Sequence, residues 1–541
     1  MSFKRWTEPA FALPLLAGVV CLAYALYTNN IWEDWFITFR YSQNLVRGNG
    51  LVYNIGERVA GYSSPIGVLL PAFCYLVSGQ SDAPAIWLYR IFSIAAFVGG
   101  IALLVRGFAP KGSRFSFPIF LLGFLFAFDI KAVAFSTNGL ETGFMLLFLC
   151  WGIFLFQEGY TDRWMHVGLC WGGLLLTRPD GCIYIAILAT VSILFCEGSR
   201  RPLLIALSRS AGVCALLYLP WFIWTWFYYG TPVPHTVIAK ASQGNGPLVH
   251  LIQHIGQRGF WSELVNLRGS LFWAARAVFQ PIGYRGDSEW YVGLERLTYF
   301  LGVFCGGYWT LPVKDRLGKM TSVSFALGCL YLTVIRSVSP WYMPYVAVFG
   351  IFTLARGVGT LTRVCEEKMP RLRIAILFLA TALCVERFVL FDLNTWEMAV
   401  QQREIEFGNR KLIGLWLKDH VPKNDMVYLE GLGYLGYFSE AKIRDWPGLV
   451  SPEVVRLVKE EHLNEATVAV TLKPDWMVLR PYEIDEMRKF AGPFLSGEYE
   501  LVKEFDVRDR LNRYSFLPGR SHATTDAVFQ VFRRKRAPNK A

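Results

Sequence analysis

The sequence predicts a polytopic α-helical membrane protein with a C-terminal α/β domain. Of its 541 residues, 53% are hydrophobic and 16% are aromatic, and the mean hydropathy is +0.33. A soluble enzyme of this size would be less apolar. After Asp392 the hydrophobic segments shorten to strand length and charged residues become frequent. We therefore divide the chain into a membrane domain, 1–395, and a soluble domain, 396–541.

Eleven apolar segments approach the length of about 20 residues that a helix needs to cross a bilayer. They are 8–28, 86–105, 115–132, 141–157, 165–178, 182–197, 210–228, 290–311, 320–336, 341–357 and 373–391. The first follows only Lys4 and Arg5 and has no small-residue cleavage site, so we interpret it as a retained span. A further segment, 65–78, is shorter and suits a re-entrant or interfacial helix.

The positive charges of the short loops predict the orientation. If 65–78 does not cross, the lysine- and arginine-rich loops all lie inside, as the positive-inside rule requires. If it does cross, these loops move outside and the rule is inverted. The loops are 106–114, 158–164, 198–209, 312–319 and 358–372. We therefore predict eleven spans, with the N-terminus inside and the C-terminal domain outside.

The first outward loop, 29–85, begins with two adjacent acids, Glu33 and Asp34, at the end of the first span. Ionisable groups at such a position are costly and therefore indicate function. An amphipathic segment follows them and ends at Gly48 and Gly50. The alternative interpretation is an interfacial helix whose two acids are solvated charges at its N-terminus.

The soluble domain is predicted from strands that alternate with helices, a pattern typical of a small α/β domain. The predicted strands are 426–430, 475–480, 500–507 and 527–532, and the predicted helices are 409–419 and 452–462. The glycine-rich stretch GLG at 431–433 does not fit a dinucleotide-binding strand and turn. A dinucleotide site is therefore not expected.

Four motifs carry a resemblance to a known family. IWEDW, followed by FRYSQNLVRGNGLVYNIGERVAGYSSP, resembles the first outward loop of bacterial C-type (GT-C) glycosyltransferases. NGLET (138–142), TRPDG (177–181) and YYGTPVPHTVIAKAS (228–242) are also similar to family motifs. The likeness is strongest to the arabinofuranosyltransferases that use polyprenyl-phosphate arabinose. It implies a GT-C-like fold, with two juxtamembrane helices in the first outward loop.

This resemblance implies an inverting glycosyltransferase in a bacterial cytoplasmic membrane. It would move a sugar, D-arabinofuranose, from polyprenyl phosphate to a periplasmic acceptor such as a cell-wall arabinan, a lipopolysaccharide or a protein such as pilin. A GT-C enzyme that uses lipid-linked mannose or aminoarabinose is an alternative. A lipid-linked sugar transporter or flippase is a second alternative, but it would show inverted repeats and charges near the membrane midplane, which the sequence lacks.

Transfer from a lipid phosphate needs a base for the acceptor hydroxyl. We predict Asp34 as this base, and Glu33 as a second catalytic residue that orients the base or binds sugar hydroxyls. The family typically has two aspartates here, so Glu33 departs from its pattern. Because phosphate is a good leaving group, one acid suffices, unlike the paired acids of glycosidases.

The donor phosphate needs cations as negative charge builds on it. We predict Lys240 as the phosphate-binding lysine, with Arg58 and Arg336 as further candidates. Arg40, in the first outward loop, could also grip a sugar or a phosphate.

Five more residues are predicted to bind substrate or to fix the site. Glu141 in NGLET and the pair Arg178 and Asp180 in TRPDG could contact substrate, or could be structural, the pair as an ion pair at the pocket floor. His235 stands where the family usually has asparagine. Asp445 lies in GLGYLGYFSEAKIRDWPGLVSPEV (431–454), which also resembles the family, and could bind the acceptor or fix its own loop.

No cofactor is predicted with certainty. Metal-binding histidine or cysteine spacings are absent from the sequence, although Glu33 and Asp34 could in principle ligate a divalent cation. The eleven cysteines all precede Val385 and are expected to be buried free thiols. The net charge of +12 lies largely in short loops, which indicates contact with membrane lipid rather than with nucleic acid.

Overall fold

The computed structural model describes residues 9–108, 115–242, 260–282, 292–335, 339–514, 517 and 520–535. Sixteen helices build the membrane domain within these ranges. They are α1 Pro9–Thr28, α2 Glu33–Val46, α3 Pro65–Val77, α4 Asp82–Phe108, α5 Phe117–Ala127, α6 Ile130–Thr137, α7 Thr142–Glu158, α8 Trp164–Thr177, α9 Gly181–Leu194, α10 Arg200–Tyr229, α11 His235–Ser242, α12 Phe260–Phe279, α13 Val292–Gly307, α14 Arg316–Val334, α15 Met343–Lys368 and α16 Pro370–Val400.

Every one of the eleven predicted apolar segments overlaps one of these helices. Within the described ranges, six helices are long and apolar enough to cross a membrane, and the bent pair α5 and α6 would make a seventh. Four shorter helices, α3, α7, α8 and α9, are also apolar. The chain is therefore a multi-pass membrane protein, while the count of eleven spans stays a prediction.

Two regions of the membrane domain differ from the sequence prediction. The predicted span 115–132 breaks after α5, because Asp129 Oδ1 accepts a hydrogen bond from Ala132 N at 2.8 Å and starts α6. The two helices meet at 48°. Helix α12 lies in what was predicted as an outward loop. The sequence analysis missed this helix because Arg268 and Arg276 interrupt its apolar residues.

The C-terminal domain contains a five-stranded sheet of strand order β2-β1-β3-β5-β4. The strands are β1 Met426–Leu429, β2 Lys442–Asp445, β3 Trp476–Leu479, β4 Tyr499–Asp506 and β5 Val528–Arg534. β1 pairs in parallel with both β2 and β3, while β5 runs antiparallel to β3 and β4. Four strands match the prediction. β2 was missed because KIRD offers only one apolar residue, Ile443.

Eight helices accompany these strands in the described residues. They are α17 Lys411–His420, α18 Tyr434–Ser439, α19 Pro452–Glu460, α20 Glu465–Leu472, α21 Pro481–Ala491, α22 Phe494–Glu498, α23 Arg508–Leu511 and α24 Arg520–Thr525. The predicted helices 409–419 and 452–462 correspond to α17 and α19.

No loop separates the two predicted domains. Helix α16 continues through a π-helical segment, Gln401–Arg410, into α17. Together they form one helix of 51 residues, Pro370–His420. The boundary predicted at 395/396 therefore falls inside a continuous helix. A π-helical turn is uncommon and frequently marks a functional site.

The loop 29–85, which is predicted to face outward, shares one apolar core with the C-terminal domain. The ring of Phe36 on α2 packs 4.5 Å from that of Tyr434 and 4.7 Å from that of Tyr437, between centroids. The Tyr434 hydroxyl donates to the carbonyl of Ile31 at 2.9 Å. These contacts hold the start of α2, and with it the two acids, directly against the C-terminal domain.

Candidate active site

Asp34 occupies the first turn of α2. The N-cap residue, Trp32, has an extended backbone and supplies no side-chain cap. The Asp34 side chain is half-buried and accepts no hydrogen bond from any other described residue. Burial raises the pKa of Asp34, while the positive charges of Lys240 and Arg178 oppose that rise. The carboxylate is thus unengaged, close to two cations, and able to take a proton.

Lys240 lies on α11, far from Asp34 in sequence. Its ammonium group is exposed and forms neither a hydrogen bond nor an ion pair within the described part of the chain. It is the strongest single charge acting on Asp34. The fold therefore brings the predicted base and the predicted phosphate-binding lysine to one site.

Arg178 links two acids at the ends of neighbouring helices. Its Nη1 donates to Glu141 Oε1 at 2.6 Å and its Nε donates to Asp180 Oδ1 at 2.8 Å. The guanidinium also lies 5.0 Å from the ring centroid of Tyr342. The ion pair expected from TRPDG is therefore present, and Glu141 belongs to the same cluster. Nη2 of Arg178 bonds to no other described residue.

Glu33 faces the C-terminal domain through an ion-pair network. Its Oε2 accepts from Arg410 Nη1 at 2.7 Å, and the same arginine contacts Glu406 at 3.2 Å and Asp526 at 2.6 Å. Asp526 also bonds Arg480 Nε at 2.6 Å. Burial and the neighbouring carboxylates hold the pKa of Glu33 above its usual range, against the pull of Arg410. Burial would raise the pKa of Asp526, but the two arginines outweigh it and hold that pKa at about 2.

The glycine-rich stretch 431–433 contacts the backbone of Glu33. A Cβ added at Gly433 would lie only 2.2 Å from the Glu33 carbonyl oxygen, so no larger residue fits there without displacement. These glycines therefore allow α2 and the C-terminal domain to approach each other closely, rather than forming a nucleotide loop.

The two arginines predicted in the first outward loop have different surroundings. Arg40 donates to the carbonyls of Tyr53 at 3.0 Å, of Ala441 at 2.8 Å and of Gly436. Its guanidinium thus joins the loop to the C-terminal domain. Arg58 is exposed, and its guanidinium lies 4.9 Å from the ring centroid of Tyr228. Of the two, Arg58 is the one whose donors are not used by the fold.

His235 and Asp445 also lie where the outward loops meet the C-terminal domain. His235 N donates to the carbonyl of Ala60 at 2.8 Å, while its buried Nε2 has no partner among the described residues. Burial lowers the pKa of His235. Asp445 is fully buried. Its carboxylate accepts from three successive backbone amides, Gly448, Leu449 and Val450, and from the hydroxyl of Ser451.

Most of the predicted residues fall into two groups. Near Asp34 lie Glu33, Lys240 and Arg178, with the two acids of Arg178. Arg40, His235 and Asp445 lie where the loops predicted to face outward meet the C-terminal domain. Arg58 lies against the Tyr228 ring, and Arg336 lies outside the described residues. The substrate and catalytic roles of all of them stay predictions.

No group of three histidine, cysteine, aspartate or glutamate side chains in the described ranges is placed to hold a metal ion. Glu33, one of the two acids proposed as metal ligands, is bonded to Arg410. All eleven cysteines are free, as expected; nine are buried, but Cys182 is exposed and Cys196 is half-buried, so the expectation of burial is wrong for these two. A divalent cation at Glu33 and Asp34 therefore stays a prediction without added support.

Sequence reasoning missed the residues that hold Glu33. Arg410 is separated from Glu33 by 377 positions, and no local pattern links them. One signal was present, because Glu406 and Arg410 are spaced as an i,i+4 ion pair on a helix. Glu430 and Arg480, each the residue directly after a strand, were also overlooked.

Comparison with curated proteins finds two arabinofuranosyltransferases. The chain is 30% identical over 235 residues to the terminal β-(1→2)-arabinofuranosyltransferase of Mycobacterium tuberculosis, which covers 40% of this chain and 35% of that protein. It is 28% identical over 261 residues to the protein of the same name from Corynebacterium glutamicum, covering 43% and 36%. The chain thus aligns with about a third of the length of either relative.

Solved structures show the same overall fold at low identity. The oligosaccharyltransferase of Archaeoglobus fulgidus matches with a TM-score of 0.53 at 14% identity, covering 91% of this chain and 71% of the other. ArnT of Cupriavidus metallidurans, bound to undecaprenyl phosphate, matches at 0.50 and 12%, covering 98% of both. Mycobacterial arabinofuranosyltransferase AftD matches at 0.50 and 13%, covering 99% and 40%.

A family model described as a domain of unknown function (DUF8728) matches residues 396–529. Together these findings confirm the resemblance that the loop motifs predicted: the chain has the fold of GT-C membrane glycosyltransferases and is similar in sequence to arabinofuranosyltransferases.

Proposed function

We propose that the protein is an inverting glycosyltransferase that moves D-arabinofuranose from polyprenyl phosphate to an extracytoplasmic acceptor. One observation carries the proposal: the carboxylate of Asp34 bonds to no other described residue, and the positive charges of Lys240 and Arg178 lower its pKa against the effect of burial. A base beside phosphate-binding cations is what this transfer requires. The names of the curated relatives support arabinofuranose, and the undecaprenyl phosphate bound to ArnT supports a lipid phosphate donor.

In the proposed reaction, Asp34 takes the proton of an acceptor hydroxyl. The hydroxyl oxygen attacks the anomeric carbon from the face opposite the phosphate, which inverts the configuration. The bond between the anomeric carbon and the phosphate oxygen breaks, and its electron pair leaves with polyprenyl phosphate. Lys240 and Arg178, with Arg58, stabilise the negative charge that builds on that phosphate. Glu33 orients the start of α2.

The proposal places this site on the periplasmic face of a bacterial cytoplasmic membrane, with eleven spans and the N-terminus inside. The charge asymmetry of the loops supports this orientation. The contact of Glu33 with Arg410 adds support, because it requires the first outward loop and the C-terminal domain to be on one side.

Impermeant thiol labelling of whole cells tests the orientation. In a Cys182→Ser background, which removes the exposed native thiol, Ser81→Cys and Ser496→Cys are expected to react before lysis. Arg201→Cys, in a predicted inside loop, is the matched control and should react only after lysis. Protection of either outer position in intact cells would contradict the topology.

Purified protein in lipid nanodiscs tests the reaction. Supplied with polyprenyl-phosphate arabinofuranose and an arabinofuranosyl acceptor, it should release polyprenyl phosphate and extend the acceptor by one sugar. The mannose and aminoarabinose donors should be poorer substrates. Preference for mannose or aminoarabinose would identify a different donor sugar. In sealed proteoliposomes, movement of intact donor across the bilayer without release of polyprenyl phosphate would indicate a flippase.

A further inference from the structure

The C-terminal domain presents the carboxyl ends of three parallel strands, β2, β1 and β3. From β1 the chain passes to β2 on one side and then returns past β1 to β3 on the other. In open α/β sheets such a reversal creates a crevice at the carboxyl ends of the two strands it separates, and ligands bind there. Here the crevice lies between β1 and β3.

The residues that follow these two strands meet across the crevice. Glu430 follows β1, Arg480 follows β3, and Arg480 Nη2 lies 2.6 Å from Glu430 Oε2. The Arg480 side chain is only 5% exposed, whereas that of Glu430 is 39% exposed. Arg480 is fixed further by Glu483 at 2.9 Å and Asp526 at 2.6 Å. A rigid arginine therefore holds an accessible carboxylate.

The crevice opens toward the predicted catalytic acids. A Cβ added at Gly431 would lie 3.4 Å from Glu33 Oε1 and 3.9 Å from Arg480 Nη2, so this glycine lies between Glu33 and Arg480. The charge of Glu430 also acts on both Glu33 and Asp34. The crevice therefore borders Glu33, the residue beside the predicted base.

Two buried polar atoms at this place lack partners among the described residues. They are Glu33 Oε1 and Arg410 Nε, in an ion pair whose other atoms are bonded. Buried polar atoms are normally hydrogen-bonded. A hydroxyl group can both donate and accept, so a ligand hydroxyl can pair with either atom.

An exposed aromatic ring continues the crevice. Tyr482, at the start of α21, is 45% exposed, and its hydroxyl accepts from Arg480 Nη1 at 3.2 Å. A flat, half-apolar ring fixed at its polar end offers a surface for the apolar face of a sugar.

The charge of the crevice defines what it can bind. Five carboxyl groups form ion pairs with two arginines, Arg410 and Arg480. They belong to Glu33, Glu406, Glu430, Glu483 and Asp526. Burial raises the pKa of Glu33 to about 8, so at pH 7 the other four carboxylates outnumber the two arginines. This excess repels an anionic ligand, whereas Lys240, whose ammonium group pairs with no acid among the described residues, attracts one. The two halves thus suit two different substrates.

We propose that the crevice between β1 and β3 binds the acceptor, and that this acceptor is an uncharged, hydroxyl-rich glycan. Glu430 accepts hydrogen bonds from its hydroxyl groups, and the Tyr482 ring packs against a sugar. This inference rests on the proposed glycosyl transfer, since it names the acceptor side of the same site.

The test compares two acceptors on the full chain in nanodiscs, with polyprenyl-phosphate arabinofuranose as donor. One acceptor is an octyl arabinofuranosyl disaccharide, and the other is the same disaccharide carrying a phosphate. The neutral acceptor should have the lower KM. Glu430→Gln and Tyr482→Ala should each raise its KM about tenfold, the effect of one lost charged or stacking contact, while undecaprenyl phosphate binding stays within about twofold.

Matched variants separate binding from folding. Glu460→Gln removes an exposed acid on α19 and should leave KM unchanged, and Tyr482→Phe should retain most of the affinity because it keeps the ring. Lys240→Ala should do the reverse of Glu430→Gln, weakening undecaprenyl phosphate binding while sparing acceptor KM. The unfolding temperature of every variant verifies its fold, and a destabilised Tyr482→Ala would be replaced by Tyr482→Leu.

An unchanged acceptor KM in both Glu430→Gln and Tyr482→Ala would overturn the inference, as would preference for the phosphorylated acceptor. Failure of the proposed function looks different: the wild type would then release no polyprenyl phosphate. In that case saturation-transfer NMR measures binding of the neutral disaccharide, which tests the acceptor site independently of sugar transfer. Binding that is lost in Glu430→Gln and kept in Glu460→Gln supports it, and the absence of such a loss overturns it.

Discussion

Asp34 and Asp445 are two aspartates that the sequence marks in the same way, each beside another charged residue in a family-like motif. Their surroundings differ. The Asp34 carboxylate bonds to no other described residue and lies near two cations. The Asp445 carboxylate accepts from three backbone amides and a hydroxyl.

The hydrogen bonds of the two carboxylates indicate different roles. Asp445 has its hydrogen-bonding capacity taken up by its own loop, so it stabilises the fold and has little left for a ligand. Asp34 keeps its capacity for something that the chain does not supply. An acid that forms no hydrogen bond and lies near cations is a candidate catalytic residue. The following experiments test whether Asp34 and Asp445 differ in this way.

The largest effect is expected from Asp34→Asn. A positioned general base contributes roughly 10²- to 10⁴-fold to rate, and asparagine cannot take the proton. Sugar transfer should fall by that factor, while the unfolding temperature and undecaprenyl phosphate binding remain near wild type. Near-normal turnover would remove Asp34 from the role of base.

Lys240→Ala should weaken undecaprenyl phosphate binding about 10- to 100-fold, the value of a charge-assisted contact. It should also change the pH profile. Asp34 must be ionised to act, so the rate falls as the pH drops through its raised pKa. Because the charge of Lys240 lowers that pKa, its removal should move the acid limb to higher pH. If the acid limb of the pH–rate profile does not shift, the charge of Lys240 does not act on the pKa of Asp34.

Glu33→Gln should cost less, about tenfold in transfer. Glutamine still bonds Arg410 but removes a charge from the network, so α2 remains positioned less firmly. Measured kcat should fall while the KM for donor is kept. If Glu33→Gln is inactive and Asp34→Asn is active, the two assignments are exchanged.

The smallest effect on transfer is expected from Asp445→Asn. Its amide cannot accept all the bonds of the carboxylate, which should destabilise the protein by about 2–5 kcal/mol and lower the unfolding temperature by several degrees. Turnover per folded molecule should persist. Calorimetry and rate measurement on one preparation decide this, and a loss of rate without a loss of stability would place Asp445 at the acceptor.

Sequence reasoning reached the membrane class, the GT-C resemblance and four of the five strands, because hydrophobic segment length and local motifs carry that information. It also named Asp34, Lys240 and Arg178, which the structure brings together. It missed α12 and β2, where charged residues interrupt the apolar pattern. Local periodicity does not register such elements.

Local sequence patterns could not identify the residues that bond to Glu33. Arg410 lies at the end of a π-helical segment within one continuous helix. This helix places the guanidinium of Arg410 in contact with Glu33. Likewise, the sequence offered Arg40 as a substrate-binding residue and left Asp445 between acceptor binding and fixing its own loop. Arg40 is bonded to carbonyls as far as 401 positions away, and no local sequence pattern reveals such partners.

The continuous helix Pro370–His420 has a consequence for how the chain can vary. Each residue added to an α-helix rotates everything beyond it by about 100°. One residue inserted near Val400 would therefore swing the Arg410 guanidinium off Glu33 and turn the carboxyl edge of the sheet away from α2. Surface loops tolerate insertions, but this helix does not. Its length sets the orientation of the C-terminal domain relative to α2, and the site needs one particular orientation.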